Sequence, residues 1–148
     1  MNRSQYVPFE MSKLVESTNV VVIPNGYYNG NNAGSFNISN NGVLKRIVIG
    51  DNCFGKVRVF ELDGLSELES VVIGKSSFRI STSERSDGSY RIVNCPKLKS
   101  IQIGDKSFSD YNSFELNNLP SLQSIDIGED CFFWAPSFSL TSVIDGLV

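Results

Sequence analysis

Apolar and polar residues alternate along most of this chain with a period of two, in short bursts separated by polar corners. Such alternation is the signature of strands with one face buried, and no longer stretch carries the spacing of an amphipathic helix. The bursts also recur at a fixed interval. Residues 98–121 read LKSIQIGDKSFSDYNSFELNNLPS and residues 122–145 read LQSIDIGEDCFFWAPSFSLTSVID. Upstream, residues 44–67 read LKRIVIGDNCFGKVRVFELDGLSE, and 68–97 open with LESVVIGKSSF and close with YRIVNCPK. The leading leucines Leu44, Leu68, Leu98 and Leu122 are thus 24, 30 and 24 residues apart, with the surplus in the hydrophilic stretch 79–88. A degenerate first copy occupies 18–43.

The shared unit is L-x2-I-x-I-G-x2-[SC]-F-x5-F-x-L-x2-L-x2. A fixed period of this length marks a solenoid, in which each copy buries its apolar face against its neighbours. The expected fold is therefore a single β-rich solenoid domain over 1–148, leucine-rich-repeat-like, with about five coils of roughly 24 residues, parallel strands and little helix. Residues 1–17 are expected to form an N-terminal cap or a tail.

Two corners punctuate each unit. The first holds Pro24, Gly50, Gly74, Gly104 and Gly128. Proline locks φ near −65°, so a slot shared by proline and glycine calls for close packing rather than a left-handed backbone. The second holds Asn40, Gly64, Asn94, Asn118 and Ser142, residue types that favour left-handed turns. Stacking the copies produces two aromatic spines, Tyr28, Phe54, Phe78, Phe108, Phe132 and Phe36, Phe60, Tyr90, Phe114, Phe138, which read as core. Between the residues of the second spine the outward row Asn37, Glu61, Arg91, Glu115, Ser139 predicts a cross-strand charge ladder, provided the six-residue insertion is a loop.

In these positions the chain resembles leucine-rich repeats, and within them the BspA-like type of bacterial and protist surface proteins. That type is similar to L-x2-I-x-I-P followed by an aromatic, with a Cys three residues before the next Leu. Leu44, Ile47, Ile49; Leu68, Val71, Ile73; Leu98, Ile101, Ile103; and Leu122, Ile125, Ile127 match the first part, while Pro24 and Cys95-Pro96-Lys97-Leu98 match the rest in single copies. Gly mostly replaces Pro, and Leu65, Leu119 and Val143 stand where Cys is common. The resemblance covers roughly 18–145 and implies protein recognition or adhesion through an exposed sheet, with no catalytic residue.

Composition narrows the chemistry. There is no histidine, which removes the commonest general base and zinc ligand. A net charge of −3 offers no basic footprint for nucleic acid, and no apolar run reaches the length of a membrane span. Met1 to Glu10 lacks the apolar segment of a secretory leader, so a cytoplasmic protein and a fragment of a surface protein both fit. The sequons Asn2-Arg3-Ser4 and Asn37-Ile38-Ser39 matter only in the second case. The three cysteines show no CxxC spacing. Cys53 and Cys131 fall three coils apart, ~14 Å at strand spacing and beyond disulfide reach, so free thiols are expected. Gly74-Lys75-Ser76 lacks the upstream glycine of a phosphate loop and reads as a repeat corner. Asp126, Glu129, Asp130 and Asp145 read as solvated turn carboxylates. No cofactor and no metal are expected.

The candidate binding face follows from alternation. The residue between the two inward positions of L-x2-I-x-I points outward, and down the stack this row is Val22, Val48, Val72, Gln102, Asp126. Three aligned valines on an outward face suggest a contact surface. Phe133 and Trp134, which interrupt a hydrophilic stretch of the last copy, join the candidate partner-binding residues. The reading is a non-enzymatic recognition or scaffold module with a protein partner or a homo-oligomeric contact. The alternative is carbohydrate or cell-surface adhesion by a fragment of a larger protein.

Overall fold

The structure, a computed structural model, describes residues 18–27, 35–79, 88–132 and the backbone of 138–143. Two parallel five-stranded sheets face each other across a single core. Strands β1 (Val20–Ile23), β3 (Arg46–Ile49), β5 (Ser70–Ile73), β7 (Ser100–Ile103) and β9 (Ser124–Ile127) form the first sheet in that order. Strands β2 (Ser35–Ser39), β4 (Val59–Asp63), β6 (Gly88–Val93), β8 (Tyr111–Leu119) and β10 (Phe138–Val143) form the second. Odd strands come from the L-x2-I-x-I segments and even strands from F-x-L, so successive copies stack as the coils of a parallel β-solenoid. Among the described residues there is no helix.

The register is the one the repeat dictates. Val21, Ile47, Val71, Ile101 and Ile125 are lateral partners in the first sheet. Phe36, Phe60, Tyr90, Phe114 and Phe138 are partners in the second. The insertion in the third copy leaves this register intact, apart from a bulge beside Gly88 and Ser89.

The aromatic spines are the centre of the core. Phe54, Phe78, Phe108 and Phe132 stack face to face at centroid spacings of 4.7–5.3 Å. Phe36, Phe60, Tyr90 and Phe114 stack likewise at 4.9–5.1 Å. The ring spacing follows the strand spacing of ~4.8 Å. The two spines meet edge to face, for example Phe60 on Phe108 at 78° and Tyr90 on Phe108 at 82°, the arrangement the ring quadrupole favours. Tyr28 lies outside the described residues, and of Phe138 only the backbone is described.

Both corners behave as their residue types demand. Asn40, Gly64, Asn94 and Asn118 are left-handed, with φ of 54–73°. The glycines of the first corner are not. A Cβ on Gly104 would stand 2.7 Å from the Gly74 carbonyl carbon and 2.8 Å from its oxygen, so glycine is required because the preceding coil's backbone lies against it. Two features of this corner are not visible in the repeat pattern. Phe54, Phe78, Phe108 and Phe132 themselves have φ of 50–56°, unusual for bulky residues and repeated down the stacked spine. The small residue before each phenylalanine is also a hydrogen-bond donor between coils. Ser77 Oγ donates to the Gly50 carbonyl at 2.7 Å and Ser107 Oγ to the Gly74 carbonyl at 2.6 Å. The Cys53 thiol donates to Pro24 and the Cys131 thiol to Gly104, both at 3.1 Å.

A side-chain hydrogen bond also reaches past a neighbouring coil, as the edge-to-face contact of Phe60 with Phe108 does. The Tyr111 hydroxyl donates to the Val57 carbonyl at 2.6 Å, from the fourth copy to the second. The intervening partner of Tyr111 is Gly88, which has no side chain to block the path.

Candidate recognition surface

Alternation within each odd strand turns one residue inward and the next to solvent. Along β1 the residues are exposed, buried, exposed, buried, and in β7 Gln102 is exposed between buried Ile101 and Ile103. Val22, Val48, Val72, Gln102 and Asp126 are consecutive lateral partners, so the expected row is one continuous outer line. Val22 is 66% exposed, Val48 and Val72 are half-buried between flanking strands, and Gln102 and Asp126 are exposed. The face is graded, apolar on the first three strands and polar to acidic on the last two. Phe133 and Trp134 lie outside the described residues.

The structure adds residues that the row alone does not contain. Val20 (45%), Tyr27 (36%) and Val43 (38%) join Val22 as the exposed large apolar side chains among the described residues, and all four belong to the first copy. Val20 is detectable by the same alternation, in the slot that holds Arg46, Ser70, Ser100 and Ser124 in the other copies.

The outer face of the second sheet is polar. Arg91 lies between Glu61, at 2.6 Å, and Glu115, at 2.9 Å, the predicted ladder across the insertion. The hydrogen bonds it donates to Glu61 and Glu115 hold the Arg91 guanidinium above its already high ordinary range. Lys97 pairs with Glu67 at 3.0 Å, and Asn118 and Asn94 continue a side-chain ladder along the turn.

The remaining candidates fall into structural roles. Gly74-Lys75-Ser76 is the first corner of the third coil, where the Lys75 amide donates to the Asp51 carboxylate of the second coil at 2.8 Å. Asp126, Glu129 and Asp130 are exposed, and the Glu129 amide donates to Asp105 at 2.9 Å. Asp145 lies outside the described residues. Cys53, Cys95 and Cys131 are free thiols, and burial pushes Cys95 up to about 11. Among the described residues no three of His, Cys, Asp and Glu converge on a metal site, and no helix is long and apolar enough to cross a membrane.

No family model, no curated protein and no solved structure matches this chain.

Proposed function

We propose that this protein is a non-enzymatic recognition module that binds a protein partner through the outer face of the first sheet. The observation that carries this reading is the unbroken line Val22, Val48, Val72, set side by side on a parallel sheet and continued by Gln102 and Asp126. Stacked coils hold the row at strand spacing with little freedom, and such preorganisation limits the ordering cost of binding. An apolar patch bordered by polar residues is the usual anatomy of a recognition surface. The likeness of the repeat to leucine-rich repeats, which imply recognition through a sheet, agrees with it, as does a sequence without histidine.

The test is Val48→Lys in a pull-down from the native source. Loss of a captured protein with retained β-sheet circular dichroism supports the reading. Unchanged capture moves the recognition surface elsewhere. A glycan array with the wild-type protein separates protein recognition from carbohydrate adhesion: binding to a defined glycan that Val48→Lys does not disturb would favour adhesion.

A further inference from the structure

We propose that a second copy of this chain pairs with β1 edge to edge, antiparallel, about a two-fold axis through Val21. Among the described residues β1 has a strand neighbour on one side only. The carbonyls of Asn19 and Ile23 serve the ladder to β3, accepting from Lys45 and Arg46 and from Gly50. Because backbone groups alternate along a strand, Val21 shares that side, and the N–H and C=O groups of Val20 and Val22 lie on the outer edge. Among the described residues the Thr18 hydroxyl donates to the Val20 carbonyl there at 3.2 Å, which leaves that oxygen a second lone pair.

The edge is self-complementary. An antiparallel pair centred on Val21 sets Val20 opposite Val22 of the second copy and Val22 opposite its Val20. These are the residues whose backbone groups the ladder leaves available, so both facing pairs are of the hydrogen-bonded type. The outer face of the junction then carries four valines, with no charge anywhere in Asn19–Ile23 to oppose itself. Val21 and Ile23 point inward and are buried, at 7% and 8%, so pairing uses the backbone and the outer valines without opening the core. Strand edges normally carry a guard such as a charge or a proline within the strand. Asp126 provides one on β9, and a head-to-tail arrangement would set that carboxylate against Val22; β1 has none. Pro24 ends the strand and limits the junction to four residues. So short an edge falls below the ~1,000 Å² of a permanent interface, and the dimer is a concentration-dependent one.

This contact uses the backbone edge of β1, whereas the recognition reading uses the outer face of the sheet; the two share Val22, and Val48 on β3 separates them. Sedimentation equilibrium over a wide concentration range should show a monomer–dimer equilibrium for the wild-type chain. Val22→Lys alters two cross-strand pairs at once through the symmetry and should weaken the dimer by roughly tenfold or more. It should leave circular dichroism unchanged, because the side chain is largely exposed. Val22→Thr, close in shape and strand preference, should retain the dimer. Val48→Lys should also leave the dimer intact, whatever it does to partner capture. A wild-type chain that remains strictly monomeric, or a Val22→Lys variant that dimerises like wild type, overturns the proposal.

Discussion

Tyr90→Phe should stabilise the protein, against the usual outcome of a core substitution. Tyr90 is 1% exposed, stacked between Phe60 at 4.9 Å and Phe114 at 5.0 Å, and its hydroxyl is buried without a hydrogen-bond partner. Burial alone drives its ionisation well above the ordinary phenol value. The other copies carry Phe36, Phe60, Phe114 and Phe138 in this slot, so the ring already suits the spine. Leaving a buried hydroxyl unsatisfied costs ~1–3 kcal/mol. Removing it leaves a void no larger than one water, roughly 10–15 Å³, which at ~24 cal/mol per Å³ costs ~0.3 kcal/mol. The net gain is ~1–2.5 kcal/mol, or about 3–8 °C in melting temperature for a chain of this size. Urea and thermal unfolding followed by circular dichroism measure it. A loss of 1 kcal/mol or more would show that the hydroxyl has a partner, and the account of the third coil would be wrong.

Gly104→Ala should cost ~1–3 kcal/mol or more, because its Cβ meets the Gly74 backbone rather than a movable side chain; Gly26→Ala, with open space but φ of 75°, should cost only ~1–2 kcal/mol in denaturant titrations. Arg91→Ala should cost under ~1 kcal/mol despite two ion pairs, since its side chain is 42% exposed, and the loss should shrink further in high salt. Stability should fall on the alkaline side. Cys95 is raised from its ordinary value near 9.0 to about 11 by burial, so its contribution is complete below pH 9.0 and is lost as pH rises through about 11. That contribution is on the order of 2–3 kcal/mol, and Cys95→Ala should flatten this part of the urea-midpoint profile.

Repetition made most of the architecture readable. Comparing Leu44, Leu68, Leu98 and Leu122 assigns every strand to a coil, and once the insertion is treated as a loop, Arg91 falls between Glu61 and Glu115. The same comparison brings Val22, Val48 and Val72 into line. What escaped it depends on three-dimensional context. Left-handed backbone is normally signalled by Gly or Asn, as at Asn94, whereas Phe78 and Phe108 adopt it inside a stacked ring spine that their residue type does not announce. Ser77 and Cys53 look interchangeable as small residues, and only the position of the preceding coil's carbonyl shows that both are donors. The apolar character of the whole first coil was half legible, because Val20 occupies a slot that is polar in every other copy.

The bond from Tyr111 to Val57 bears on how the molecule comes apart. An array whose units touch only their neighbours unzips like a one-dimensional chain, opening at its weakest junction. The third unit, with its insertion and with Gly88 in place of a larger residue, should be that junction. Tyr111 bypasses it by tying the second unit directly to the fourth, as the ring contact of Phe60 with Phe108 also does. Opening of the third unit therefore also breaks a buried contact between units that are not adjacent, which couples all three into one cooperative block. Native-state hydrogen exchange should find the slowest amides of β4, β6 and β8 opening together with a single free energy, and Tyr111→Phe, which leaves the Phe60–Phe108 contact in place, should lower that free energy.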